Sequence, residues 1–351
     1  MKPPGGAPIG EVGEDAAVAR FRELASSALG EAVLIGPGDD TAAFRMEEGR
    51  IVLFTCDMMT EGIHFRREWS GAEEIGWKAM AQNISDIAAM GGEPRFAVAS
   101  VAMPGEAEAE FAEDLARGLI SAASSYGAAL VGGDLVGSTG PIVVDVALMG
   151  VVEEELLLRR RGARPGDAIL VTGSLGASAA GLALLSRGAA GRRSPEVKRV
   201  LQAHRTPRPR VAEARAIAGS RRATAMMDVS DGIAQDLARL CRESGVGARV
   251  RTDRIPVDAA CAAVAKELGE DALEWAAGGG EDYELLVTCP AAAAEEIAAA
   301  VSEKTDTPVA VIGEITREEG VSFLGADGEA RMVGPGFDHF GRRGAAGGEN
   351  R

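Results

Sequence analysis

Six aspartates stand beside a glycine or another turn residue, at the predicted end of an apolar strand or inside a helix. They are Asp40 in Gly36-Pro37-Gly38-Asp39-Asp40, Asp57 in Thr55-Cys56-Asp57, Asp86 in Asn83-Ile84-Ser85-Asp86, Asp134 in Gly132-Gly133-Asp134, and Asp228 with Asp231 in Asp228-Val229-Ser230-Asp231-Gly232. Acids that follow apolar strands limit the folds open to the chain, because the strands must be buried and their ends cannot all be ordinary surface. If several of these carboxylates converge, cations must offset their repulsion. Hard oxygen donors favour Mg²⁺ held together with phosphate oxygens, which points to nucleotide chemistry.

A chain of 351 residues is long enough for two domains of ordinary size. Only 4% of it is aromatic, so a core must be built mainly from Ala, Val, Leu and Ile. The formal charge of −16 argues against broad nucleic-acid binding, which needs a basic surface. An anionic substrate would need metal ions, backbone N–H groups or a few placed arginines. Cys56, Cys241, Cys261 and Cys289 are scattered without a C-x-x-C, so neither a zinc site nor a disulfide framework is suggested. No apolar run approaches the length of a membrane span and no leader is visible, so a cytoplasmic enzyme is expected.

Short strands alternate with helices. Expected helices include 14–29, 73–90, 106–126, 177–186, 211–219, 232–244, 257–268 and 292–301. Expected strands include 33–35, 51–55, 96–102, 128–131, 142–151, 168–172, 223–227, 247–251, 283–288 and 309–315. The stretch after Ser186 reads as a basic loop. The charged segment from Glu153 to Asp167 marks a domain boundary, giving residues 11–152 and 153–340, each an α/β or α+β unit. Residues 1–10 and 341–351 are expected to be disordered.

Each motif also has a plain structural reading. Gly36–Asp40 can be a turn. His64 can be a structural hydrogen bonder. Asp86 can be a buried, capped acid, although without a cation it would tend to be neutral. Ser230 or Asp231 can cap a helix, which leaves Asp228 unexplained. Gly133 lets backbone approach a phosphate closely. Gly278-Gly279-Gly280-Glu281-Asp282-Tyr283 reads as a hinge leading to paired acids and a strand. No Walker sequence and no H-R-D kinase loop occurs, so any bound nucleotide is held in a metal-rich mode distinct from both.

Taken in order, Gly-Asp-Asp, Thr-x-Asp, His-Phe, Asn-x-Ser-Asp-x-Ala-Ala-Met-Gly, Gly-Gly-Asp, Asp-x-Ser-Asp-Gly and Gly-Gly-Glu-Asp-Tyr-Glu-Leu resemble the motif series of the thiamine-monophosphate kinase family, from Ile35 to Phe340. That family lies in the aminoimidazole-ribonucleotide synthetase superfamily. The resemblance implies an α+β or α/β two-domain fold. Its N-terminal mixed-sheet domain pairs with a second copy in a dimer-spanning β-barrel, and its C-terminal domain is a layered α/β unit. It implies several Mg²⁺ ions at Asp40, Thr55, Cys56, Asp57, Asp86, Asp134, Asp228 and Asp231. ATP contacts would come from Gly133, Asp134, Arg160 and Ser230, and contacts to thiamine monophosphate from His64, Glu281 and Phe337. The implied reaction moves the γ-phosphoryl group of ATP to thiamine monophosphate, directly and without a general base, in a homodimer that binds neither nucleic acid nor membrane.

The chain departs from the family pattern in three places. Cys56, a soft and poor Mg²⁺ ligand, stands where Thr or Ser is usual. Ala116 replaces an aromatic residue, and Glu11-Val12-Gly13-Glu14-Asp15 replaces an early Glu-Phe-x-x-Ile. Superfamily rivals expect a reactive cysteine near the start or at the end of the chain, and neither is present. A non-catalytic nucleotide binder on the same scaffold would not need all six acids.

Overall fold

The computed structural model describes residues 33–35, 40–45, 49–191, 194–334 and 336–337. The expected helix 14–29, both expected disordered ends, the turn residues 36–39 and the eroded early motif lie outside the described residues.

The first half builds one six-stranded sheet from β1 (Val33–Ile35), β2 (Ala42–Arg45), β3 (Arg50–Thr60), β4 (Glu93–Pro104), β5 (Ala129–Ser138) and β6 (Val143–Glu153), ordered β1-β2-β3-β6-β4-β5. All pairings are antiparallel except β4 with β5. Helices α1 (Ala72–Ala89) and α2 (Ala109–Ser125) cover one face. Strand periodicity decides which side chains meet them: Leu53, Met59, Val144, Val146 and Leu148 point into this core and are at most 1% exposed. The two helices touch backbone to backbone. A Cβ on Gly76 would fall 2.1 Å from the Leu115 carbonyl oxygen, and one on Gly118 would fall 2.0 Å from that of Glu73.

The second half holds a sheet ordered β12-β9-β11-β7-β10-β8. Its strands are β7 (Asp167–Thr172), β8 (Ala225–Val229), β9 (Gly247–Arg251), β10 (Glu284–Pro290), β11 (Val309–Thr316) and β12 (Gly320–Leu324). Helices α3 (Ala177–Ser186), α4 (Pro195–Arg205), α5 (Val211–Ser220), α6 (Ile233–Ser244), α7 (Ala259–Leu268), α8 (Ala272–Gly278) and α9 (Ala294–Ser302) surround it. Strands β7 and β8 are buried along their whole length, because one apolar layer packs on each face of the sheet.

Helix α1 belongs to both halves. It packs against α2, β3 and β6 on one side and against β8 and α5 on the other, so Ile84, Ile87, Ala88 and Ala89 are completely buried. Fully burying each isoleucine contributes roughly 1.5–3 kcal/mol. The same packing carries the polar residues of α1 into the seam between the halves.

Four local expectations need correction. Strand β3 runs on to Thr60, so Asp57 lies within it, and β5 runs on to Ser138, so Gly-Gly-Asp is also within a strand. Gly232, with φ of 103°, begins α6, and neither Ser230 nor Asp231 caps it through a side chain. The basic loop contains α4, which Ser194 caps by accepting from the Val197 N–H with Pro195 following.

Candidate active site

Three carboxylates from distant parts of the chain meet at the seam. Asp40 precedes β2, Asp86 lies near the end of α1 and Asp228 lies on β8, and oxygens of all three lie within 4.8 Å of one another. Each acid has its own holder. The Thr55 hydroxyl donates to Asp86 at 2.6 Å and the Ser85 hydroxyl to Asp228 at 2.6 Å. Arg160 grips Asp40 with two N–H groups, Nε to Oδ2 at 2.9 Å and Nη2 to Oδ1 at 2.7 Å. Asn83 accepts from the Asp57 N–H at 3.1 Å and donates to the Ala79 carbonyl, which pins β3 against α1.

These acids are electrostatically loaded. Burial, followed by Asp57, Asp228 and Asp40, pushes the Asp86 carboxyl well above the ordinary range. Asp228 is raised in the same sense by burial and by Asp40, against the Ser85 hydrogen bond. Hard oxygen donors at this spacing, with Arg160 as a cationic partner of Asp40, suit a small divalent cation such as Mg²⁺. The donor set fits that ion and offers no soft ligand.

Cys56 lies on the other face of β3. Its thiol donates to Asp145 Oδ1 at 3.2 Å, and burial together with Asp145 pushes it up to about 11. Thr55 and Asp57 alternate to the opposite side. Beside the acids, only main-chain atoms of Cys56 are available.

A cleft of about 710 Å³ opens from the acids. One wall carries Arg160, Ser230, Asp231 and Arg239. Arg239 pairs with Asp231 and also with Asp236, whose Oδ2 accepts from the N–H groups of Ser230 and Asp231 at 3.0 Å each. Asp236 therefore shapes the Asp-Val-Ser-Asp loop, and burial first, then Asp231, pushes it up to about 7. Sequence reading missed it, although an acid four residues after a helix-opening glycine was visible.

His64, His204, Trp275, Glu281 and Phe337 also line the cleft. Lys78, only 3% exposed, donates to Glu281 Oε1 at 2.6 Å, and His204 Nδ1 lies 3.2 Å from Oε2 and 3.1 Å from the Ser178 hydroxyl. Burial works to raise the Glu281 carboxyl, but Lys78 and then His204 hold it well below the usual carboxylate range. Burial, followed by Lys78, lowers His204. Glu281 and Tyr283 take left-handed backbone angles, φ of 65° and 51°. Their N–H groups donate to Ser230 and Val229 carbonyls at 2.7 and 2.9 Å, which fixes the strained turn against β8. His64 Nδ1 accepts from the Thr60 N–H at 3.0 Å. The Phe337 N–H donates to the Asp231 carbonyl at 3.2 Å, which ties the segment bearing this aromatic residue to the loop.

Of the residues singled out from sequence, Asp40, Thr55, Cys56, Asp57, His64, Asp86, Arg160, Asp228, Ser230, Asp231, Glu281 and Phe337 all line this one cleft. Gly133 and Asp134 do not line it in the single chain, because they lie on the exposed edge strand β5. Gly133 has a local reason to be glycine, since a Cβ there would fall 2.1 Å from the Ala99 carbonyl oxygen on β4. Lys78 and His204 went unread. Lys78 reads as a surface residue of an amphipathic helix, and His204 lies in α4, whose Ser194-Pro195-Glu196 start was a legible signal.

Comparison with known proteins fits this geometry. Residues 38–152 match the AIR synthase related protein N-terminal domain, and residues 164–325 match the corresponding C-terminal domain. The chain is 33% identical over 331 residues to thiamine-monophosphate kinase of Salmonella typhimurium strain LT2, covering 93% of this chain and 98% of that one. A solved structure of AaThiL complexed with AMPPCP and TMP superposes with a TM-score of 0.82 at 30% identity, covering 95% of this chain and 99% of that one. Thiamine-monophosphate kinase from Stenotrophomonas maltophilia K279a superposes with a TM-score of 0.73 at 33% identity, covering 90% and 96%.

Proposed function

Because the chain belongs to the AIR synthase related family and, within it, to the thiamine-monophosphate kinases, we propose that it transfers the γ-phosphoryl group of ATP to thiamine monophosphate in the cleft between its halves. The products are thiamine diphosphate and ADP. The observation that carries this reading is the convergence of Asp40, Asp86 and Asp228 within 4.8 Å in a cleft large enough for two phosphate-bearing molecules.

The acceptor is itself a phosphate, so its oxygen is already an anionic nucleophile and needs no strong base. The obstacle is bringing two polyanions into line. Asp40, Asp86 and Asp228, with Asp57, Asp231 and main-chain oxygens of Thr55 and Cys56 beside them, would hold several Mg²⁺ ions. Bound there, Mg²⁺ supplies the charge neutralisation that lets the two phosphate chains approach. The chain's own part is positioning. Arg160 and Arg239 fix Asp40 and Asp231, and Asp236 holds the Ser230–Asp231 main chain open toward the nucleotide. His64, Glu281 and Phe337 receive the thiamine end. In this reading the acids hold cations and His64 and His204 are engaged in hydrogen bonds, so no side chain is assigned to carry the phosphoryl group and transfer is direct and in line.

Gly133 and Asp134 enter this reading through the dimer. The outward face of the first sheet carries Phe54, Met58, Phe96 and Val98, with Val136 on β5, all 42–55% exposed, and the exposed edge strand β5 also bears Val131 and Leu135. Such a contiguous apolar face calls for a partner, and we assign it to a second copy that closes a barrel across the two sheets and encloses β5. Among the described residues no helix is long and apolar enough to cross a membrane. We place the reaction in the cytoplasm, where ATP and Mg²⁺ are at hand.

An acceptor panel tests the activity. With ATP and Mg²⁺, thiamine monophosphate should release ADP and give thiamine diphosphate, whereas thiamine or no acceptor should release almost none. Turnover with another phosphate acceptor but not with thiamine monophosphate would leave the fold standing and remove the substrate.

A further inference from the structure

Lys78, Gln82 and Asp86 stand four residues apart on α1, one turn above another on a single face. Asp86 belongs to the acid cluster and Lys78 anchors Glu281 at the other end of the cleft. Gln82 lies between them and lines the cleft. Its amide oxygen is buried and has no hydrogen-bond partner among the described residues. The polar groups around it on α1 are engaged: Asn83 with Asp57 and Ala79, Ser85 with Asp228, Lys78 with Glu281. A desolvated acceptor left without a donor is unfavourable, and a leucine or methionine would fill the same space without that penalty.

We propose that Gln82 Oε1 accepts a hydrogen bond from the exocyclic amino group on the pyrimidine ring of the acceptor, and so sets specificity for its organic end. The inference rests on thiamine monophosphate being the acceptor. Chemistry then leaves little choice of donor. The thiazolium ring carries no N–H, the methyl groups do not donate, and the phosphate belongs at the acids. The pyrimidine amino group is the one N–H donor in the molecule. Adenine also carries an amino group, but Gln82 lies on the Lys78 side of Asp86, and Lys78 is bonded to Glu281 and the His64 carbonyl, whereas Arg160 holds Asp40 at the acid cluster.

Gln82→Met keeps the length of the side chain and removes the amide. The variant should raise KM for thiamine monophosphate about tenfold, the equivalent of one hydrogen bond of roughly 1.4 kcal/mol. It should leave KM for ATP unchanged and melt no lower than the parent chain. The acceptor analogue with oxygen in place of the pyrimidine amino group supplies the second arm. The parent chain should show about a tenfold higher KM for the analogue than for thiamine monophosphate, and Gln82→Met should treat the two alike. A shift in KM for ATP, an equal shift for both acceptors, or a parent chain that does not distinguish them would overturn the assignment. A parent chain that makes no thiamine diphosphate would overturn the substrate reading as well, so the two failures are distinguishable. The parent chain's own discrimination needs no variant and holds the proposal to account if Gln82→Met does not fold.

Discussion

Without divalent metal, Asp228→Asn should make the protein more stable, while abolishing nearly all turnover. Asp228 is 2% exposed and shares a 4.8 Å cluster with Asp40 and Asp86. Two unit charges at 4.8 Å repel by about 3.5 kcal/mol at an effective dielectric of 20. Arg160 offsets the share due to Asp40, and protonation of the raised acids removes more. Replacing the carboxylate also weakens the Ser85 hydrogen bond by about 1 kcal/mol. The net gain should be about 1–2 kcal/mol, or roughly 2–8 °C in Tm for a unit of this size.

The sign of the pH dependence follows from the raised carboxyls. Folded Asp86 and Asp228 keep their protons at pH values where the unfolded chain has lost them. The metal-free native state therefore loses stability as pH rises from the ordinary carboxylate range through the raised folded values. The advantage of Asp228→Asn should accordingly be larger at pH 8 than at pH 5. Adding Mg²⁺ should reverse the order. The parent chain gains about 2.7 kcal/mol at one hundred times its Kd, and the variant gains far less. Thermal melts of both proteins at pH 5 and pH 8, with EDTA or with Mg²⁺, read all of this. A parent chain more stable than the variant in EDTA at pH 8, or equal Mg²⁺ gains in both, would refute the reasoning.

Other outcomes follow from the same geometry. Lys78→Met strands the Glu281 carboxylate and should destabilise the fold by about 3–5 kcal/mol, with much of the loss recovered in a Lys78→Met, Glu281→Gln double variant measured by denaturant melts. His204→Gln tests a histidine whose folded value is lowered. The parent chain should lose stability as pH falls from the ordinary histidine range through that lowered value, and a stability–pH series on the variant should lack that component. Cys56→Ser should leave turnover within about twofold, because the thiol contacts Asp145 on the face of β3 away from the acids; a loss of several orders of magnitude at saturating Mg²⁺ would place the side chain among the ligands after all. Val98→Glu on the outward face of the first sheet should lower the mass seen in light scattering toward that of one chain.

Much of this site was legible because its chemistry is local in sequence. Asp57 and Asp228 sit on apolar strands and Asp86 sits among Ile84, Ile87, Ala88 and Ala89, so each announced a buried charge before any fold was known. What sequence patterns could not give was pairing across the seam. Lys78 looks like a surface residue of an amphipathic helix until α1 is found wedged between two halves of the chain. His204 was hidden because α4 is rich in charged residues and its short apolar stripe, Val197, Val200 and Leu201, gives no sign that a histidine continues it, although its cap and proline were readable. Asp134 shows the reverse case. Gly-Gly-Asp reads as a strand-end phosphate loop, yet β5 continues through it, because backbone contact with Ala99 demands the glycine. The strand extensions of β3 and β5 come from pairing with β6 and β4, a tertiary effect that strand propensity does not carry.

The most direct measurement follows the phosphorus itself. The purified chain is mixed with Mg²⁺, thiamine monophosphate and ATP labelled in its γ-phosphate, for less than one turnover. Direct transfer in the cleft places the label in thiamine diphosphate, one label per ADP formed, with none on the denatured protein. Label found as inorganic phosphate, or bound to the protein, would contradict it.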